Sequence, residues 1–397
     1  MIESLIFMNI PVSRALKLIK EPKKSFFLWG PRQTGKSSLL KSLYSKSLYV
    51  DFLNTNIYLK YLEAPNLLRE ELIQKLEKSE LDKSQPIILD EVQKVPLILD
   101  EVHWIIENLG LNFILCGSSA RKLKRGQANL LGGRALRYEL YGFCYEELGD
   151  LFDLNKILNR GYLPSIYLDE DFLDLQESYV KDYLKEEIAE EALVRNLELF
   201  SEFLKVASFS DAEIVNFSNI ARDCGISAST VKEYFLILED TLIGNFLPAY
   251  KKKPKRRITQ APKFYFFDIG VVNYLSKRRN IEQGSELFGK AFENWVYHEL
   301  KTYNSYNKAR YDLSYWRLST GVEVDFIIND MEYAIEVKAS NKIHEGHLKN
   351  LRELVKDHPE VKKRYLVSLT DTNRITEDGV EIVNYKSFIE YLWSGKL

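Results

Sequence analysis

Short, continuous apolar runs alternate with stretches of helical spacing over roughly the first 140 positions. Phe26-Phe27-Leu28-Trp29, Leu48-Tyr49-Val50-Asp51-Phe52, Pro86-Ile87-Ile88-Leu89-Asp90-Glu91 and the run 112–119 read as strands, with a fifth at 134–140. Between them, Leu39, Leu40, Leu43 and Tyr44 share one helical face, a charged helical stretch covers 65–81, and another helix covers 97–108. Strands that are apolar on both faces and separated by helices predict a parallel sheet covered on both sides, an α/β fold. Ligands of such sheets sit beyond the carboxyl ends of the strands, where the polar endings Asp90-Glu91 and Ser118-Ser119 fall.

The pattern then changes. Residues 171–209 are rich in Leu, Glu and Lys at helical spacing, with Tyr179, Tyr183 and Ile188 as core positions. In 215–241, a short helix bearing Ala221 precedes a turn at Cys224-Gly225-Ile226-Ser227, and a second helix turns Val231, Phe235 and Leu238 inward. That spacing predicts a helix-turn-helix, with Ser229, Thr230, Lys232 and Glu233 on its outer face. In the last third, a helix over 287–303 buries Phe288, Ala291, Phe292, Trp295 and Leu300, with Glu293 near its edge. Strands at 321–328 and 333–338 follow, then a helix at 342–358 and a strand at 363–368. A four-residue loop at 329–332 places Asp325 opposite Glu336, and period two puts Glu336 and Lys338 on one face. Three units are expected: 1–165, 166–260 and 261–397.

Composition changes this picture little. A net charge of −2 does not by itself point to a polyanionic partner, so any nucleic-acid surface must be local. One local cluster exists: Lys251, Lys252, Lys253, Lys255, Arg256 and Arg257 follow the helix-turn-helix, where the wing of a winged helix would lie along phosphates. Three widely spaced cysteines favour free thiols in a reducing interior. The start of the chain lacks a signal-peptide pattern, and no apolar run approaches the ~20 residues of a membrane span. A cytoplasmic protein is expected, with no membrane partner.

The sharpest chemistry lies at Gly30-Pro31-Arg32-Gln33-Thr34-Gly35-Lys36-Ser37, the G-x-x-x-x-G-K-[ST] pattern, with Ser38 next in the helix. Its backbone amides and helix N-terminus suit a triphosphate such as ATP. Lys36 reaches the β- and γ-phosphates and Ser37 ligates magnesium. Asp90 then holds Mg2+ and Glu91 orients the attacking water, which favours hydrolysis over binding alone. One of Ser118 and Ser119 senses the γ-phosphate, although capping a helix explains the pair equally well. Arg134 is the first candidate for an arginine finger acting on a neighbouring subunit, with Arg121, Arg125 and Arg137 as competitors. A finger supplied in trans requires a homo-oligomer.

Asp325, Glu336 and Lys338 form a second constellation: two acids to hold a metal and a lysine to position or activate water, as a magnesium-dependent phosphodiesterase needs.

The phrases GPRQTGKSS, PIILDEVQ, FILCGSSARKL and LLGGR resemble the prokaryotic AAA-type ATPases that carry a long C-terminal domain of unknown function. YGFCYEEL, SYVKDYL, KFYFFDIGVVNYL, GKAFENWVYHEL and the GVEVDF…IEVK pair resemble that domain. The resemblance covers the whole chain and implies AAA-type assembly, usually a ring, of which a hexamer is one form. The D…E-x-K set resembles the PD-(D/E)XK nuclease fold, without its leading proline. With Glu293 it is similar to archaeal Holliday-junction resolvases, which implies branched or structured DNA. The expectation is an ATP-hydrolysing, DNA-binding motor or remodeller. The alternatives are a Mg-dependent DNA nuclease regulated by ATP, and a nucleotide-driven protein-assembly switch that touches no nucleic acid.

Overall fold

The computed structural model describes residues 12–118, 131–187, 194, 196–252, 256 and 258–397. Five strands, β1 (Ser25–Trp29), β2 (Tyr49–Asp51), β3 (Ile87–Asp90), β4 (Phe113–Gly117) and β5 (Ala135–Glu139), form the first sheet. Its order is β2-β3-β4-β1-β5 and every pairing is parallel. Alternation along β1 divides the core. Phe27 and Trp29 join Leu89, Phe113 and Leu115 on one face, while Phe26 and Leu28 join Ile88, Ile114 and Leu40 on the other. The expected parallel sheet is present, with one helix more than the periodicity indicated. Thr55–Glu63 starts from Asn54, whose side chain accepts from Asn56 N at 3.0 Å. Leu59 and Leu62 on it are exposed, so its apolar spacing marks no single face.

A second, antiparallel sheet has the order β6-β8-β7, from β6 (Glu213–Ile214), β7 (Gly244–Leu247) and β8 (Lys263–Phe266). Beside it lie the helices Phe217–Cys224 and Ala228–Asp240. Gly225 closes the first and the Ser227 side chain caps the second, accepting from Thr230 N at 3.1 Å. Val231, Phe235 and Leu238 are buried, as the spacing requires, and so are Tyr179 and Tyr183. Ile188 lies outside the described residues.

The third sheet holds β9 (Leu313–Arg317), β10 (Glu323–Ile328), β11 (Tyr333–Lys338), β12 (Lys363–Ser368), β13 (Arg374–Ile375) and β14 (Val380–Asn384). Its order is β13-β14-β12-β11-β10-β9. Phe326 pairs with Ile335, which places Asp325 opposite Glu336 one step further on, as the loop length implied. The pairing of β10 with β9 shifts by one residue between Val324 and Ile327, a bulge that re-aims Asp325. One face packs on the 21-residue helix Glu286–Tyr306, the other on Glu345–Asp357. Among the described residues, no helix is long and apolar enough to cross a membrane.

Candidate functional site

The 30–37 loop leaves β1 and enters the helix Lys36–Leu43 through Gly35, whose φ of 90° suits a residue without a Cβ. The Lys36 ammonium is buried in this loop and donates to Gly30 O at 2.7 Å and Pro31 O at 2.9 Å. Burial pulls its pKa down, against the pull of Cys116, Glu91 and Asp90. Ser37 Oγ donates to Asp90 Oδ2 at 2.7 Å, and the Tyr49 hydroxyl donates to the same oxygen. Burial pushes the Asp90 carboxyl up, but hydrogen bonds from Tyr49, Cys116 and Ser37 outweigh it and hold the group below its ordinary value. The ends of β1 and β3 therefore converge, through side chains 53 positions apart.

Glu91 follows with φ 57°, a left-handed conformation that an L-residue adopts only when its surroundings enforce it. Gln93 supplies one restraint. Its amide donates to Glu91 Oε2 and, at 3.0 Å, to Ser118 Oγ. The carboxamide lies against the end of β4, where a Cβ added at Gly117 would stand 2.2 Å from Gln93 Oε1. Sequence reading singled out Glu91 and Ser118 but not the residue between them.

Arg14 is a second missed residue. Its buried guanidinium donates to Thr34 O at 2.5 Å, Tyr141 O at 2.6 Å and Glu147 Oε1 at 2.9 Å. It also reaches Tyr306 Oη at 3.4 Å, so one side chain fastens the phosphate-type loop to the end of the long helix. Ser165 Oγ donates to Gln33 Oε1 at 2.8 Å, and Tyr179 Oη donates to Arg32 O at 3.3 Å. The second unit thus touches the loop as well.

Other candidates are placed less favourably. Arg134 pairs with Glu107 on the surface of its own chain, and Arg137 pairs with Glu139 at 3.0 Å. Arg121, Arg125 and Ser119 lie outside the described residues. On the second helix of the helix-turn-helix, Ser229 and Lys232 are exposed and Thr230 is half-buried. Both hydroxyls contact Ser227 Oγ, at 2.7 and 2.8 Å. Within the basic run, Lys251 is exposed and Lys252 pairs with Asp330 at 3.3 Å. Arg256 is paired at the surface: its Nε donates to Asp357 at 2.8 Å and its Nη1 to Glu353 at 3.2 Å. A solvated wing does not describe Arg256, because this ion pair ties it to the helix Glu345–Asp357. Lys253, Lys255 and Arg257 lie outside the described residues.

The carboxyl-terminal constellation is assembled as the spacing implied. Val337 N donates to Asp325 Oδ2 at 2.7 Å, and Lys338 Nζ and Asn350 Nδ2 reach Glu336 Oε1 at 2.6 and 2.9 Å. Burial, then Glu293, pushes the Asp325 carboxyl up, and burial, then Asp325, pushes Glu336 up as well. A residue not foreseen sits among them. Lys263 Nζ, from β8, lies 2.8 Å from Glu293 Oε1, 2.5 Å from Glu323 Oε1 and 3.8 Å from Asp325 Oδ1. Burial lowers its pKa, but Glu293, Asp325 and Glu323 together raise it well above its ordinary value. Among the described residues no three His, Cys, Asp or Glu side chains are arranged to hold a metal ion. His344 and His347 stack on each other without such a partner.

Comparison with known proteins divides the chain into three matches. Residues 22–149 match the family described as AAA domain. Residues 151–282 and 288–388 match two domains of unknown function, DUF8612 and DUF4143. An uncharacterized protein of Methanocaldococcus jannaschii is 24% identical over 400 residues, covering 89% of this chain and 86% of the relative. Among solved structures, a Walker-type ATPase of Pyrococcus abyssi is similar with 13% identity and a TM-score of 0.42, over 63% of this chain and 90% of that one. The ORC1 protein of Aeropyrum pernix in complex with DNA is similar with 14% identity and a TM-score of 0.26, over 64% and 86%. Likenesses at those scores do not establish a shared fold. The family match and the geometry of the 30–37 loop agree: residues 22–149 are similar to the AAA domain family and carry its P-loop.

Proposed function

We propose that the chain hydrolyses ATP and couples that reaction to moving along or remodelling DNA, as an oligomeric assembly acting on branched or structured DNA. The observation that carries the hydrolytic part is the convergence of Lys36, Ser37, Asp90, Glu91, Gln93 and Ser118 at the ends of β1, β3 and β4. The loop amides and the start of the helix Lys36–Leu43 receive the phosphates. Lys36 exchanges its two carbonyl partners for phosphate oxygens. Ser37 Oγ and Asp90 Oδ2, already 2.7 Å apart, are hard oxygen donors of the kind magnesium takes. Bound there, magnesium would neutralise charge building on the β- and γ-phosphates. Glu91, held by Gln93, orients the attacking water, and Ser118 contacts the γ-phosphate.

For DNA, the supporting features are the two helices Phe217–Cys224 and Ala228–Asp240 beside β6-β8-β7, the exposed Lys232 and Lys251, and the run of basic residues in the sequence there. The carboxyl-terminal unit, nuclease-like in its Asp325, Glu336 and Lys338 set, serves as a platform for the same ligand. Arg134 is the candidate finger for a neighbouring subunit. ATP turnover measured with duplex, single-stranded and four-way-junction DNA tests the coupling. Stimulation strongest with junctions is expected, and no stimulation by any of the three contradicts the DNA role.

A further inference from the structure

A lysine stands where the carboxyl-terminal constellation would need a metal. β8 reads as an apolar strand, and Lys263 opens it with its side chain wholly buried. Burying an ammonium is costly unless it is paired, and here the pairing is unusually complete. Glu293 comes from the long helix, Glu323 and Asp325 from β10, and all three meet one nitrogen. Tyr265, two residues along the same strand, donates to Glu293 Oε1 at 2.6 Å and fixes that carboxylate toward the lysine.

The cluster holds one more carboxyl group than it has cations. Four carboxylates, Glu293, Glu323, Asp325 and Glu336, are met by three cations, Lys263, Arg317 and Lys338. Glu336 is fully buried, and its Oε2 has no hydrogen-bond partner. A buried carboxyl oxygen without a partner calls for one, and a cation is one species that supplies it. Access exists too. A cavity of about 640 Å³ is lined by Lys263, Glu293, Arg317 and Glu323 and opens to solvent. Lys263 lines that cavity and lies 3.8 Å from Asp325 Oδ1.

We propose that Lys263 is a built-in cation that keeps divalent metal out of this cluster, and that Glu293, Asp325 and Glu336, which are not arranged to hold a metal while the lysine spreads them, close on a hard divalent ion when Lys263 is removed. Two positive species cannot share so small a volume, so lysine and metal exclude each other. The proposal stands apart from the nucleotide reading, since none of its residues touches the 30–37 loop.

The test uses the full chain without nucleotide, on an Asp90→Asn background so that the loop contributes no metal site. Mn2+ is titrated, with free ion followed by electron paramagnetic resonance and thermal midpoints recorded in parallel. Lys263→Met is expected to bind one Mn2+ at least about ten-fold more tightly than the Lys263 parent and to gain thermal stability from it. Adding Asp325→Asn should abolish both effects. Because Lys263→Met leaves charges unpaired, Lys263→Met/Glu323→Gln serves as a charge-balanced partner with the same expectation. Equal Mn2+ binding by parent and variant overturns the proposal, and so does binding by neither. Should both variants misfold, Lys263→Gln takes their place with the same expectations, and a Mn2+-dependent rise in the parent's own midpoint that Asp325→Asn removes overturns the proposal outright.

Discussion

The Gln93 carboxamide donates to Glu91 Oε2, across a backbone that Glu91 holds at φ 57°. Without that bond the carboxylate is free to swing out of the cleft. Gln93→Ala should therefore lower the maximal rate of ATP hydrolysis by about ten-fold or more, the usual scale for a mispositioned catalytic base. Nucleotide affinity should stay within about two-fold, since Gln93 makes no bond to the loop. Steady-state kinetics beside equilibrium binding of a fluorescent nucleotide separates the two. An equal loss of affinity and rate would assign Gln93 to the fold of the site.

Arg14 ties together Thr34, Tyr141 and Glu147 within a buried knot. Arg14→Ala leaves the Glu147 carboxylate, which has no exposed side-chain surface, with the Ala15 and Cys144 amides and no cation. Removing one partner of a buried pair costs about 3–5 kcal/mol, so denaturant unfolding should shift by that order. Arg14→Ala/Glu147→Gln should recover part of the loss. Nucleotide affinity should remain lowered in both variants, because Thr34 O loses its restraint either way.

Glu299, fully buried on the long helix, accepts from Tyr145 N at 2.8 Å and Trp393 Nε1 at 2.9 Å. Burial pushes its carboxyl up to about 8, and nearby Glu147 adds to the rise against those two hydrogen bonds. The folded chain thus keeps a proton that the unfolded chain has lost, and stability falls as pH rises toward about 8, levelling off above. His298, held neutral by burial down to about 3, acts in the opposite sense below its ordinary 6.5. Other buried carboxyls, Asp211, Asp325 and Glu336 among them, are also pushed up, so Glu299 is isolated by comparing the parent with a variant from pH 6.5 to 8. There, unfolding free energy of the parent should decline more steeply than that of Glu299→Gln, by on the order of 1–2 kcal/mol across the window. Parallel slopes would show that Glu299 is ionised throughout.

Lys232 and Lys251 are exposed, whereas Arg256 is paired with Asp357 and Glu353. On the proposed DNA face, Lys232→Ala and Lys251→Ala should each reduce the slope of log binding constant against log salt by about 0.9. Arg256→Ala should leave the slope unchanged and lower the thermal midpoint instead. Binding isotherms on junction DNA at four salt concentrations read both outcomes.

Much of this arrangement was legible because its signals are local. β1, β3 and β4 announce themselves as continuous apolar runs, and Gly35, Lys36 and Ser37 are neighbours in sequence. The juxtaposition of Asp325 and Glu336 followed from loop length alone. Arg14, Gln93 and Lys263 were not legible, for a common reason. Each is a single polar residue whose key partners lie far along the chain: Arg14 reaches Glu147 over 133 positions, Gln93 reaches Ser118 over 25, and Lys263 reaches Glu293 over 30. The bulge that re-aims Asp325 depends on β9, which no pattern in β10 specifies. Arg256 looked like one of six equivalent cations, and only the helix Glu345–Asp357 sets it apart.

The account rests most heavily on Lys36 binding a triphosphate that Glu91 helps to split. Single-turnover hydrolysis of γ-labelled ATP, with binding measured on the same samples, tests this directly for the parent, Lys36→Ala and Glu91→Gln. The parent should bind and hydrolyse, Lys36→Ala should lose binding, and Glu91→Gln should bind normally while releasing phosphate about 100-fold more slowly. A parent that binds no ATP, or a Glu91→Gln variant that turns over at the parental rate, would contradict it.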